Sequence, residues 1–201
     1  MIPADQYQKY LYRSSTDQSL WESVQEGDKE AFATVYEEQI GSLYTYGKKL
    51  TSNTSIVEDA IQDVFIEIWR YKANLGQVRS IKAYLFTCLR RQILKAIKKE
   101  KVWVLNQDHL KEDNFDFELP AQELMIQAQE KNAEVEKIKR AINKLTRRQK
   151  EIIYLKYFQD LSYEEISLMM DLSQRSTYNL VSKALTMLKN KLVLFWLVFF
   201  I

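Results

Sequence analysis

The sequence predicts an all-α chain: two small helical domains joined by a flexible acidic linker, the C-terminal one a helix-turn-helix. Three observations lead there. The 201 residues include only 4 Gly and 2 Pro, about 3% together where average proteins carry roughly 12%. Hairpins, sandwiches and glycine-rich phosphate loops all consume such residues. Apolar residues recur at helical spacing on both sides of residues 105–132. Helix-start signals precede those repeats: Ser55 to Glu58, Thr146 to Gln149 and Ser162 to Glu165 each match a capping box, in which a hydroxyl accepts from an orphan backbone N–H and the acid or amide reaches back. An apolar share of 46%, with 12% aromatic, supplies a core for each domain and excludes disorder over most of the chain.

In chain order, residues 1–19 form an N-terminal arm of unassigned use, and 20–104 the first domain. Within Glu58 to Trp69, apolar Ile61, Val64, Phe65, Ile68 and Trp69 fall at i, i+3, i+4, i+7 and i+8, one buried stripe. The opposite face presents Glu58, Asp59, Gln62, Asp63 and Glu67. From Arg79 to Lys101 a second helical pattern places Ile81, Tyr84, Leu85, Cys88, Leu89, Ile93 and Ile97 inward, while Lys82, Arg90, Arg91, Lys95, Lys98, Lys99 and Lys101 occupy the rest. A basic amphipathic helix suits nucleic acid, a membrane surface or mere solubility, and alone does not choose among them. Asn106 to Glu123 lacks a sustained helical stripe and contains Pro120, so 105–132 is expected to be a linker.

The second domain spans 133–191. In Leu161 to Leu188 a capped helix from Ser162 to about Met170 is followed by a break at Asp171 and Leu172 and a second helix from about Ser173. Ile166, Met170, Leu172, Thr177, Val181, Ala184 and Leu188 would close a small core at the crossing. This is helix-turn-helix spacing, although two packed helices share it in plain core structure. The second helix leaves Gln174, Arg175, Tyr178, Asn179, Ser182 and Lys183 outward, a hydrogen-bonding set of the kind that contacts base edges and phosphates.

The formal net charge of +2 conceals alternation. Met1 to Glu67 sums to −7, Ile68 to Leu105 to +9, Asn106 to Glu136 to −7, Lys137 to Lys156 to +7, Tyr157 to Leu172 to −4 and Ser173 to Ile201 to +4. Such blocks suit separate surfaces, basic ones toward a polyanion and acidic ones toward basic protein; solvated helix faces are the plain alternative. A single cysteine, Cys88, excludes an internal disulfide, and with the single histidine, His109, it cannot supply a structural zinc site. Cys88, on an apolar stripe, is expected to be a buried small hydrophobe rather than a redox sensor. Trp21, Trp69 and Trp103 fit core or domain-edge packing. The N-terminus lacks a signal-peptide pattern, so a cytoplasmic location is expected.

Taken in order, LWESVQEGDKEAFATVYEEQ (Leu20 to Gln39), EDAIQDVFIEIWR (Glu58 to Arg70), SIKAYLFTCLRRQILKAIKKEK (Ser80 to Lys101), an acidic linker and the segment Ile138 to Leu192 resemble the extracytoplasmic-function group of bacterial RNA polymerase sigma factors. The resemblance implies a protein without a catalytic site, cofactor or small-molecule substrate. Its implied partners are core RNA polymerase, promoter DNA and an anti-sigma factor, in this family frequently membrane-bound. It also implies roles by position. Asp59, Gln62 and Asp63 look like the helix that docks on the coiled coil of the largest polymerase subunit. The loop Leu75 to Ser80 and the basic helix after it resemble the part that recognises and melts the −10 element, with Arg79, Lys82, Arg90 and Arg91 as candidates for backbone contact, and Lys95, Lys98 and Lys99 behind them. Tyr84 is assigned to the core before any stacking role. Gln174, Arg175, Tyr178, Asn179, Ser182 and Lys183 lie on the helix that enters the major groove of the −35 element, and Arg147 and Arg148 suit phosphates. Two departures stand out. Asp171 replaces the usual turn glycine, and Tyr178 and Asn179 stand where relatives often carry Arg. A helix-turn-helix regulator that binds duplex DNA without docking on polymerase is the rival function; it has no use for an acidic docking helix paired with a basic melting helix.

Leu192 to Ile201, LVLFWLVFFI, is an apolar tail. As a helix it would span about 15 Å, half of the roughly 30 Å hydrocarbon core, so it cannot cross a bilayer. Packing on its own domains, binding a partner and shallow membrane attachment all remain open for it.

Overall fold

The computed structural model describes residues 15–104, Phe115 and 140–189, and among them every regular element is a helix. The chain divides into two compact units, Met1–Asn114 and Phe115–Ile201. The division falls inside the expected linker. The N-terminal arm up to residue 14, His109, the rest of the linker and the apolar tail lie outside the described residues.

The first unit contains α1 (Ser15–Glu26), α2 (Lys29–Leu50), α3 (Thr54–Tyr71), a 3-10 turn (Lys72–Asn74) and α4 (Ile81–Val104). Helices α2, α3 and α4 pack on one another and α1 lies against α2 and the 3-10 turn. The first helix begins ahead of the boundary expected at residue 20, and Asp17 on it accepts from the Ile81 N–H at the start of α4 (3.3 Å).

Two residues join α1 to α2. Gly27 adopts φ 92°, its N–H donating to the Val24 carbonyl and the Asp28 N–H to the Ser23 carbonyl, the paired bonds of a Schellman stop. Asp28 then caps α2, its carboxylate accepting from Glu30 (2.8 Å) and Ala31 (3.3 Å) N–H groups. The start of α3 differs from expectation. Asn53, not Ser55, is the cap and accepts from the Ile56 N–H, so Ser55 lies inside the helix. Thr51 and Ser52 form the connection, and the cap best able to close it is the residue that leaves it.

The inner stripe of α4 is buried throughout, Ile81, Tyr84, Leu85, Cys88, Leu89, Ile93 and Ile97 included, with Phe86 added to it. Phe86 stacks on Tyr46 of α2 with ring centroids 5.0 Å apart. Close approach of α2 depends on Gly47. A Cβ there would stand 2.5 Å from Val57 Cγ1 and 3.2 Å from Ile93 Cδ1.

In the second unit a helical turn at 140–143 precedes α5 (Arg147–Tyr157), α6 (Tyr163–Met169) and α7 (Gln174–Lys189). Both expected capping boxes form: Thr146 with Gln149 on α5, Ser162 with Glu165 on α6. The Ser173 hydroxyl accepts from Ser176 N–H at the head of α7 (3.1 Å). Ile152, Leu155, Ile166, Met170, Thr177, Val181 and Ala184 fill the core, while Leu172 and Leu188 are only half-buried. Phe115, from the expected linker, is also buried here, its ring 5.9 Å from that of Tyr154.

The two interior glycines of α2 should respond oppositely to alanine. Gly41 has nothing within 4 Å of a built Cβ, so Gly41→Ala should stabilise by about 0.5–1 kcal/mol through helix propensity. Gly47→Ala should instead destabilise by about 1–3 kcal/mol through overpacking. Urea unfolding of the full chain measures both, and a gain in stability for Gly47→Ala would contradict the close packing.

Candidate nucleic-acid interface and docking face

The outward face of α3 carries Glu58, Asp59, Gln62, Asp63 and Glu67, all exposed. It is acidic because the inner stripe consumes Val57, Ala60, Ile61, Val64, Phe65 and Ile68. Beside it lies a feature that sequence periodicity alone does not bring out. Phe32, Tyr36, Gln62, Phe65, Ile66, Trp69 and Arg70 line an open groove between α2 and α3. Ile66 is 52% exposed and Tyr36 42%. Tyr36 meets Phe65 edge to face at 4.8 Å, and Phe32 lies 5.0 Å from Trp69. The one signal in the sequence is Ile66 itself, an isoleucine on the polar face of its helix. Lys72 Nζ sits 4.2 Å over the Trp69 ring.

The loop ahead of α4 is held from behind by α1. Trp21 Nε1 donates to the Gly76 carbonyl at 3.0 Å, Gln25 Nε2 donates to the Leu75 carbonyl, and the Asp17 bond to Ile81 N–H fixes the loop's exit. Val78 and Ser80 are buried. Tyr84 is core, as expected, 7% exposed and edge to face with Trp21 at 5.2 Å. The expected backbone-contact residues divide by exposure. Arg79, Lys82 and Arg90 are half-buried, Lys82 Nζ lying 5.8 Å from the Phe86 ring centroid, whereas Arg91 is exposed. Arg91 shares a continuous outer stripe with exposed Lys95, Lys98 and Lys99 at i, i+4, i+7 and i+8.

In the second unit the turn between α6 and α7 is a Schellman stop without glycine. Asp171 adopts φ 54°, its N–H donates to the Leu168 carbonyl (3.3 Å), and the Leu172 N–H donates to the Ser167 carbonyl (2.8 Å). Asp tolerates this left-handed region better than most residues. The turn and the burial of Thr177, Val181 and Ala184 set the rotation of α7, which leaves Gln174, Arg175, Tyr178, Asn179, Ser182 and Lys183 all exposed. Tyr178 does not stand free: its ring stacks on Tyr163 of α6 with centroids 4.1 Å apart. At the head of α5, Arg148 is exposed. Arg147 is half-buried, with Nη2 shielded from solvent and no hydrogen-bond acceptor for it among the described residues.

Cys88 is buried, and burial pushes its thiol up to about 12 from 9.0. Among the described residues no cluster of His, Cys, Asp or Glu could hold a metal ion, and no helix is long and apolar enough to cross a membrane.

An acidic face and a basic helix behind a clamped loop in one unit, with a helix-turn-helix in the other, are what the resemblance to sigma factors implies, and the comparisons with known proteins agree. Residues 35–102 match the family Sigma-70 region 2, and residues 135–188 match Sigma-70 region 4. The chain belongs to this family, in its extracytoplasmic-function group. It is 23% identical over 178 residues to the ECF RNA polymerase sigma factor SigK of Mycobacterium bovis, covering 88% of this chain and 94% of that one. It is 22% identical over 172 residues to the RNA polymerase sigma factor NccH of Alcaligenes xylosoxydans, covering 85% and 91%. Among solved structures it resembles the sigma factor RpoE in complex with the anti-sigma factor NepR from Bartonella quintana, with a TM-score of 0.61 and 22% identity over 83% of this chain and 99% of that one. CnrH in complex with the cytosolic domain of CnrY gives a TM-score of 0.58 at 18% identity over 89% and 97%.

The environment of Cys88 carries a direct consequence. Its folded pKa lies above its unfolded one, so the native state keeps a proton that the unfolded state releases above pH 9, and stability falls as pH rises beyond that value. At pH 8 the native thiol should resist iodoacetamide and react only after unfolding in urea. Stoichiometric labelling of the folded chain within minutes would contradict its placement in the core.

Proposed function

We propose that this sigma factor docks on core RNA polymerase through the α3 face of Asp59, Gln62 and Asp63, and that the adjoining groove of Tyr36, Ile66 and Trp69 takes apolar side chains of the same partner. The observation that carries this is the juxtaposition of exposed carboxylates with exposed aromatic and aliphatic surface on one side of one domain. Carboxylates steer a basic partner and fix its orientation, and the groove supplies desolvated contact.

The clamped loop and α4 recognise and open the −10 element. Opening requires that a base leave the stack while cations hold the exposed backbone. The exposed stripe of Arg91, Lys95, Lys98 and Lys99 suits the strand's phosphates, and the half-buried Arg79, Lys82 and Arg90 suit the neighbourhood of the loop. The α7 residues Gln174, Arg175, Tyr178, Asn179, Ser182 and Lys183 read the −35 element, with Arg148 and the outward part of Arg147 on phosphates. The protein works in the cytoplasm, where polymerase and promoters are, and acts by recruitment rather than by catalysis. An anti-sigma factor holds it inactive by covering the polymerase-binding surfaces, as the partners in the related complexes suggest.

Two measurements test these assignments. Reversing charge at Asp59 and Asp63 (both to Lys) should weaken binding to purified core by about tenfold or more. Exposed sites of this kind change stability by no more than about 0.5 kcal/mol, so the thermal midpoint should hardly move. Equal affinity for core would remove α3 from the docking face. Lys183→Ala in the holoenzyme should weaken promoter binding and lower the log–log salt slope by about 0.9, the release of one counterion. An unchanged slope would take Lys183 off the list of phosphate contacts.

A further inference from the structure

The recognition helix carries a locked aromatic where a flexible cation would give a different readout. Tyr178 is 54% exposed, so much of its ring faces outward, yet its inner face is covered by Tyr163 at 4.1 Å with the planes only 25° apart. Tyr163 is in turn held from α5 by Lys156, whose Nζ lies 5.2 Å from its ring centroid. Lys156, Tyr163 and Tyr178 come from three successive helices. The capping box at Ser162 and Glu165 fixes the helix end on which Tyr163 sits.

Around Tyr178 stand Gln174, Arg175, Asn179 and Ser182, all exposed. Tyr178 is central in this set, in the N-terminal half of the helix, where base-edge contacts concentrate in helix-turn-helix proteins. An arginine at such a position would pair with guanine O6 and N7. A phenol ring offers neither a cation nor a bidentate fork. Its stacking on Tyr163 favours one orientation of the ring. It presents a fixed apolar surface, and the apolar group in the major groove is the C5-methyl of thymine.

Resting on the assignment of α7 to the −35 element, the geometry points to Tyr178 as the residue that selects thymine at one −35 position through its C5-methyl, with Tyr163 as the positioning residue that holds the ring in place. Asn179 beside it supplies the amide that pairs with adenine N6 and N7, so the two together favour an A·T-containing step.

The test uses holoenzyme assembled from core polymerase and the full chain. A promoter library randomised across the −35 segment yields a preferred sequence, and each thymine in it is then replaced singly by deoxyuridine, which removes only the methyl. At one position the replacement should weaken binding about fourfold, the worth of one buried carbon of this kind. Tyr178→Ala should bind the thymine and deoxyuridine promoters equally, and Tyr178→Phe should keep the difference. Tyr163→Ala should reduce it and Tyr163→Phe restore it, a rescue that loss of fold would not produce. Equal binding of thymine and deoxyuridine at every position, or a difference that survives Tyr178→Ala, overturns the proposal. A holoenzyme that selects no −35 sequence at all overturns the −35 assignment beneath it, a distinct result.

Discussion

Helix ends must satisfy their backbone groups, and this chain does so almost without glycine. Among the described residues, helix N-termini are closed by side chains: Asp28, Asn53, Thr146, Ser162 and Ser173 accept from their N–H groups. Among the described residues the α1–α2 stop alone uses a glycine of positive φ, while Asp160 and Asp171 take up left-handed backbone in the second unit. Caps of this kind are directional. They fix where each helix begins and hence the rotational phase of every residue after it. A helix whose phase is fixed has one inner and one outer face, and the outer faces of α3, α4 and α7 carry the exposed carboxylates, cations and hydrogen-bonding side chains on which the proposed function rests.

The core enforces the same phase from within. Gly47 brings α2 against Val57 and Ile93, and the stacked Tyr46 and Phe86 fill the space beside it. With the inner faces so tightly occupied, the carboxylates of α3 and the cations of α4 have only the outside left. Opposite charges are thereby kept on separate helices of one small domain, as the proposed docking and nucleic-acid surfaces require. The loop between α3 and α4 depends on a second set of contacts, because its carbonyls at Leu75 and Gly76 receive donors from α1. The first helix is thus a brace for the loop ahead of α4.

What was legible in the sequence follows from the range of the interactions involved. The stripes of α3 and α4, the boxes at Thr146 and Ser162 and the outward set on α7 are local patterns of three to eight residues, and the structure reproduces them. Near the start of α3 two capping residues, Asn53 and Ser55, lie within one turn, and only the geometry of the incoming chain selects Asn53. The start of α1 at Ser15 and the burial of Phe115 depend on contacts distant in sequence, with Ile81 and Tyr154 respectively. No local pattern announces them. The same holds for the groove at Tyr36 and Ile66 and for the Tyr163–Tyr178 stack, each built from residues on different helices. The partly inward orientation of Arg79, Lys82, Arg90 and Arg147 likewise arises from packing, which charge counting does not see.

The proposed function joins polymerase docking to promoter recognition in one chain. Reconstituted transcription measures it most directly: purified core polymerase, the full chain and a linear template carrying the selected promoter. The expected result is a run-off transcript from one start site that needs both core and this protein and disappears when either promoter element is scrambled. Tight binding of the chain alone to duplex DNA, with no association with core and no initiation, would contradict it.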